Sequence, residues 1–152
     1  MKEIQINDRA YCCMMAELKK IRSAEDEEKY IKKYVYTYSR ETFAQYLQKY
    51  MYEKSITVTE VMKNSGINRN YGYNIINGAR KNPGRDKVIA LCLGAGMDID
   101  DIQYSLAIAG LCILNPRDER DVRIAAAAMR GVKDITRLNI YLEEHGIEPL
   151  VV

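Results

Sequence analysis

The sequence predicts an all-α protein, and three kinds of observation carry that prediction. Apolar residues recur at helical spacing, most clearly as Phe43, Tyr46, Leu47, Tyr50 and Met51 at i, i+3, i+4, i+7 and i+8. Good N-cap residues open such segments: Thr57 with Glu60 three residues later has capping-box spacing, and Asn68 precedes another helical run. Glycines that can take a positive φ close them, at Gly66, Gly78, Gly131 and Gly146. With 152 residues and 47% hydrophobic content, the chain suits one compact domain with extensions and has ample material for a core.

Taken in order, Asp8–Ser23 reads as a helix with Tyr11, Met14, Met15, Leu18 and Ile21 on one side. Glu25-Asp-Glu-Glu28 opens a second, where early acids favour a helix N-terminus. Tyr30, Tyr34, Tyr36 and Tyr38 follow, interleaved with Ile31 and Val35. Tyrosines at this density can stack on bases or cover a partner, and packing against the chain's own core or a second subunit is the favoured reading. Residues 1–40 are therefore read as an N-terminal helical extension and a candidate dimerisation arm. Glu41–Lys54 is the next helix. Residues 57–78 read as two short helices joined at Gly66, the second running from Asn68 to Asn77, with Ile67 dipping into the core. Asp86–Ala95 and Ile99–Ala109 supply two more apolar-striped helices.

Asn115-Pro116-Arg117 breaks the pattern, and a helix starts at Arg117 or Asp118 and runs through Met129. Its expected apolar stripe is Val122, Ala125, Ala126 and Met129, the alanines allowing another helix to approach closely. A last helix over 134–145 carries Ile135, Leu138 and Leu142. His145 falls in its final turn, where a cation suits the helix dipole.

Helix, glycine-containing turn, helix is the geometry that sets a recognition helix into the DNA major groove. Residues 57–78, with the preceding helix and the Gly78-Ala-Arg-Lys-Asn-Pro83 loop, resemble the helix-turn-helix of the lambda-repressor/Cro-like (XRE) family. The five-helix order of that family maps onto 41–110. A longer resemblance, to a group of Firmicutes helix-turn-helix proteins, covers about 50–150. It rests on Gly66-Ile-Asn-Arg-Asn-Tyr-Gly-Tyr73, Arg85-Asp-Lys87, Ala109-Gly-Leu111, Arg120-Asp121 and Gly146-Ile-Glu-Pro-Leu150. The resemblance implies a lambda-repressor-like five-helix DNA-binding domain over 41–110, with a C-terminal helical extension, 111–152, packed on it. The chain departs from the family at Val58, where Gln is common, at Met62, where alanine is usual, and at Gly72 and Ser65, where apolar residues are usual.

The family's contacts carry over position by position. Arg69, Asn70 and Asn74, with Tyr73 beside them, would reach base edges. Arg pairs bidentately with guanine and Asn with adenine, each good pair contributing about 1–3 kcal/mol of discrimination. Thr57, Asn77, Arg80 and Lys81 would lie near phosphates, which position a protein without reading sequence. Asn68 is read as a helix cap, and Tyr71 and Ile75 as core. Net charge is only +2, yet over 41–82 Lys49, Lys54, Lys63, Arg69, Arg80 and Lys81 face only Glu41, Glu53 and Glu60, a balance of +3. Arg85 and Lys87 against Asp86 continue this basic segment, before Asp98, Asp100 and Asp101 reverse it.

Other classes find little support. The polar N-terminus does not read as a signal peptide, and no run approaches the roughly 18 apolar residues of a membrane span. Cys12, Cys13, Cys92 and Cys112 lack metal-ligand spacing and do not suggest a disulfide framework, so the expected compartment is the reduced cytoplasm; Cys12 and Cys13 are read as buried and structural, with thiol sensing as the alternative. No phosphate-binding glycine loop, cofactor motif or catalytic constellation is present, and His145 has no partner for catalysis. The favoured function is a sequence-specific transcriptional regulator, a homodimer on an inverted-repeat operator in double-stranded DNA. The alternative is a protein-interaction module that keeps the fold without reading DNA.

Overall fold

A computed structural model describes residues 9–35 and 41–152, with side chains described from Cys13 onward. Tyr36, Tyr38, and the side chains of Tyr11 and Cys12 lie outside the described residues. Every regular element among the described residues is helical, and the backbone divides into two units at residues 40 and 41.

The described part of the N-terminal unit holds α1 (Arg9–Leu18) and α2 (Ala24–Tyr30), the latter continuing as a π-helical turn over Ile31–Val35. Ile21, expected on the first helix, falls beyond its end, where the Arg22 guanidinium donates to the carbonyls of Lys19 and Ile21 at 2.7 and 2.8 Å. Ser23 caps α2 by accepting from the Asp26 amide at 3.1 Å. Tyr30 and Tyr34 pack ring to ring, 4.8 Å between centroids, and the Tyr30 hydroxyl donates to the Met14 carbonyl. Cys13 is exposed, not buried as its sequence setting suggested. The helix turns it away from the partly buried Met14 and Met15.

The larger unit contains α3 (Phe43–Glu53), α4 (Val58–Ser65), α5 (Arg69–Ile76), α6 (Arg85–Gly94), α7 (Ile99–Ile108), α8 (Glu119–Met129) and α9 (Ile135–Glu144). Local sequence fixes the ends. Thr42 with Gln45 and Thr57 with Glu60 form complete capping boxes, and Asp98, Asp118 and Asp134 cap α7, α8 and α9. Gly66 ends α4 at φ 69°. One continuous hydrophobic core runs from Phe43 to Leu150, so residues 111–152 share it with 41–110.

α6 is its axis. Val88 through Leu93 are inaccessible to solvent, and α4, α7 and α9 pack around them. This helix is therefore apolar all round, where a single stripe was expected, as suits a helix surrounded by others.

The face of α8 also differs from expectation. Asp121, Ile124, Ala127 and Ala128 are buried, whereas Val122 and Met129 are 45% and 75% exposed. The inward rotation has a specific cause. Asp121 accepts both Arg85 terminal nitrogens, at 3.1 and 2.9 Å, and the Asn115 amide at 2.8 Å. Arg120 reciprocates, holding both Asp86 oxygens at 3.0 and 2.9 Å and donating to the carbonyls of Glu148 and Pro149. Two Arg-Asp dipeptides, opening α6 and α8, thus pair crosswise. The chain end continues this clasp: the Val151 amide donates to Asp86 and the Lys87 ammonium to the Val151 carbonyl.

Candidate nucleic-acid interface

The turn between α4 and α5 is built from three local devices. Gly66 reverses the chain in the left-handed region that other residues avoid. Ser65, fully buried, satisfies its hydroxyl by donating to the Met62 carbonyl at 3.3 Å and accepting from the Ile67 amide at 3.4 Å. Asn68 then accepts from the amides of Asn70 and Tyr71, at 3.1 and 3.3 Å, and starts α5.

α5 buries Gly72, Ile75 and Ile76, and Gln48 of α3 donates its side-chain amide to the Ile76 carbonyl. The opposite face carries Arg69, Asn70, Tyr73, Asn74 and Asn77, all exposed. At 3.6 residues per turn, positions i, i+1, i+4, i+5 and i+8 form one contiguous strip. All four residues expected to touch bases therefore project from one face, with one expected phosphate contact, Asn77, beside them. The Arg69 guanidinium lies 5.7 Å from the Tyr73 ring centroid, so the ring supports its plane.

The loop after α5 is folded back onto it. Asn77 Oδ1 accepts from the Ala79 amide at 2.9 Å, and the Arg80 amide donates to the Asn74 carbonyl at 2.8 Å. The Arg80 guanidinium sits 4.5 Å above the Tyr71 ring and the Lys87 ammonium 5.2 Å from it, so this half-buried tyrosine anchors two cations at the surface. Arg80 and Lys81 line, with Asn74, Ala79 and Asn82, an open cleft of about 500 Å³. The loop cations and the Asn74 side chain of α5 thus meet at one place.

Thr57 is placed differently. It opens α4, where its hydroxyl oxygen accepts from the Glu60 amide at 3.2 Å and its own amide donates to Glu60 at 3.1 Å. The hydroxyl proton remains for an outside acceptor. Val58 beside it is half-buried against the core. Tyr71 and Ile75 pack against or within the core.

Sequence reasoning overlooked a second basic group, Arg130 and Lys133 on the α8–α9 turn and Arg137 in the first turn of α9. Their spacing of three and four residues was a legible signal, but Gly131 between them marked the stretch as a helix end. Among the described residues, no group of three or more His, Cys, Asp or Glu side chains could hold a metal ion, and no helix is long and apolar enough to cross a membrane.

No family model, curated protein or solved structure matches this chain.

Proposed function

We propose that the chain is a sequence-specific DNA-binding transcriptional regulator with a lambda-repressor/Cro-like domain formed by α3–α7. α5 enters the major groove. Arg69, Asn70, Tyr73 and Asn74 face base edges, and Thr57, Asn77, Arg80 and Lys81 contact phosphates. The observation that carries this reading is the exposed polar strip of α5, placed after a Gly66 turn and continued by the Arg80–Lys81 loop. The protein acts in the cytoplasm as a homodimer on an inverted repeat, with half-sites about one helical turn apart.

Binding of the purified protein to fragments of its own promoter, followed by anisotropy at two salt concentrations, tests the proposal. Tight binding to one fragment, weakened by salt and by Arg69→Ala, is the expected result. Indifference to sequence, with Arg69→Ala equal to wild type, would count against autoregulation and against this reading surface.

A second reading, a protein-interaction module on the same fold, is favoured by Val58. Where the resembling family commonly presents a glutamine to a phosphate, this side chain packs inward. Under that reading neither salt nor Arg69→Ala changes nucleic-acid binding specifically.

A further inference from the structure

The α8–α9 turn and the C-terminal half of α4 enclose an open cleft of about 510 Å³. Arg130, Lys133 and Arg137 stand on its rim, all exposed, and among the described residues none has a carboxylate in ion-pairing distance. The one carboxylate in the lining, Asp134, is occupied in capping α9, accepting from the Thr136 and Arg137 amides. Arg85, Arg120 and Arg123 of this unit each pair with an acid, whereas the three rim cations, like Arg69, Arg80 and Lys81 of the other basic group, do not among the described residues, so three like charges converge on one cleft.

The cleft's walls add two further properties. Val132, half-buried, gives it an apolar patch, with the buried Leu138 beneath. Tyr141 gives it an aromatic one, with the Arg123 and Arg130 guanidinium carbons 5.8 and 5.6 Å from its ring centroid. The Tyr141 hydroxyl accepts from Arg123 at 2.9 Å and keeps its own proton to donate. Met129, 75% exposed, directly precedes Arg130.

We infer that this cleft binds an acidic polypeptide segment of a partner protein, one that alternates carboxylates with apolar side chains. Carboxylates would meet the rim cations and the Tyr141 hydroxyl, while an apolar side chain covers Val132. A phosphodiester backbone would use the cations and leave the apolar patch uncovered. A small anion would fill little of a cleft this open.

The site also lies away from the proposed reading helix. Met62 of α4 packs against Gly72 of α5, whereas Asn64 lines the cleft. Two residues apart on a helix means about 200° of rotation, nearly opposite faces. A partner there leaves α5 open, so this inference stands independently of DNA reading.

The test is anisotropy of a fluorescein-labelled peptide rich in Glu and Leu, with its Gln-for-Glu counterpart as control. Saturable binding of the acidic peptide alone, weakened at least tenfold by Arg130→Glu with Arg137→Glu and unchanged by Arg69→Ala, is expected. Circular dichroism checks that the double variant folds, and Lys133→Glu replaces it otherwise, with a smaller loss expected in the same direction. Absence of saturable binding, or binding unaffected by the reversals, would overturn the inference. So would displacement of the peptide by equimolar inorganic phosphate or random duplex DNA, which would reassign the cations to those ligands.

Discussion

Met62 occupies the space that a side chain on Gly72 would take: a Cβ there would stand 2.3 Å from the Met62 sulfur and 2.7 Å from its Cε. Two of the positions that depart from the resembling family are thus one exchange of volume between facing helices. Gly72→Ala gains about 1 kcal/mol of helix propensity and forces the flexible thioether end of Met62 to move aside, for a net change within about 1 kcal/mol. Met62→Ala leaves a cavity and costs about 2–4 kcal/mol. Combined, the two should cost clearly less than the sum. Urea unfolding of the full double-mutant cycle measures this, and additivity within about 0.5 kcal/mol would refute the exchange.

Tyr73 supports Arg69 by its ring face. If α5 reads DNA, Tyr73→Leu should weaken operator binding about two- to fivefold, from about 0.5–1 kcal/mol of lost cation–π support, while Tyr73→Phe stays close to wild type. Equal losses in Leu and Phe variants would instead assign the effect to the hydroxyl.

Asp121 is 6% exposed and takes both Arg85 nitrogens. Asp121→Ala leaves a half-buried guanidinium without its partner and should cost about 3–5 kcal/mol, whereas Arg85→Met with Asp121→Leu should cost less than that single change. Denaturant midpoints decide the order. A single-variant cost below about 1 kcal/mol would show that the crossed pairs contribute little.

Burial opposes the charged form of Asp86, but the Arg120 hydrogen bonds, the Val151 amide and nearby guanidinium charge outweigh it and hold the carboxyl below its usual range. A depressed carboxyl contributes stability above its unfolded value, near pH 4, and that contribution is lost as pH falls through the lower folded value. Asp86→Asn should therefore destabilise at neutral pH and flatten the acid limb of the stability curve. Asp101 has the opposite sign: burial raises it despite the Tyr46 hydrogen bond, so its protonation favours the fold as pH falls. Unfolding followed from about pH 2 to about pH 7, a span that brackets the ordinary carboxylate range, separates the two.

Cys92 is inaccessible, and burial pushes its thiol up to about 12, while Cys13 and Cys112 are exposed. Iodoacetamide under native conditions should label the exposed pair and spare Cys92, as read by peptide mass. Labelling of Cys92 at a similar rate would mean that α6 opens readily.

What the sequence disclosed was local. Thr57 with Glu60, Gly66, Asn68 and Gly146 lie within a few residues of what they do, so the helix ends could be read directly. Arg69, Asn70, Tyr73, Asn74 and Asn77 were named from the resemblance, and helical geometry accounts for their sharing one face. The α8 face was misjudged because Val122 and Met129 form a plausible stripe by themselves, and only Arg85, 36 residues away along the chain, draws Asp121 inward. α6 could not be recognised as central without knowing which helices surround it. The basic cleft combines Asn64 with residues beyond 126, a proximity that no periodicity encodes.

The crossed Arg-Asp pairs and the shared core also bear on how much of this unit depends on an unbroken backbone. Ile124, Leu138, Leu142 and Leu150 are buried with residues from α3–α7, and the loop at Pro116 and Arg117 is exposed. A nick there would leave two pieces holding each other through core and clasp. The unit is thus a natural candidate for a split reporter whose halves reassemble without a covalent link.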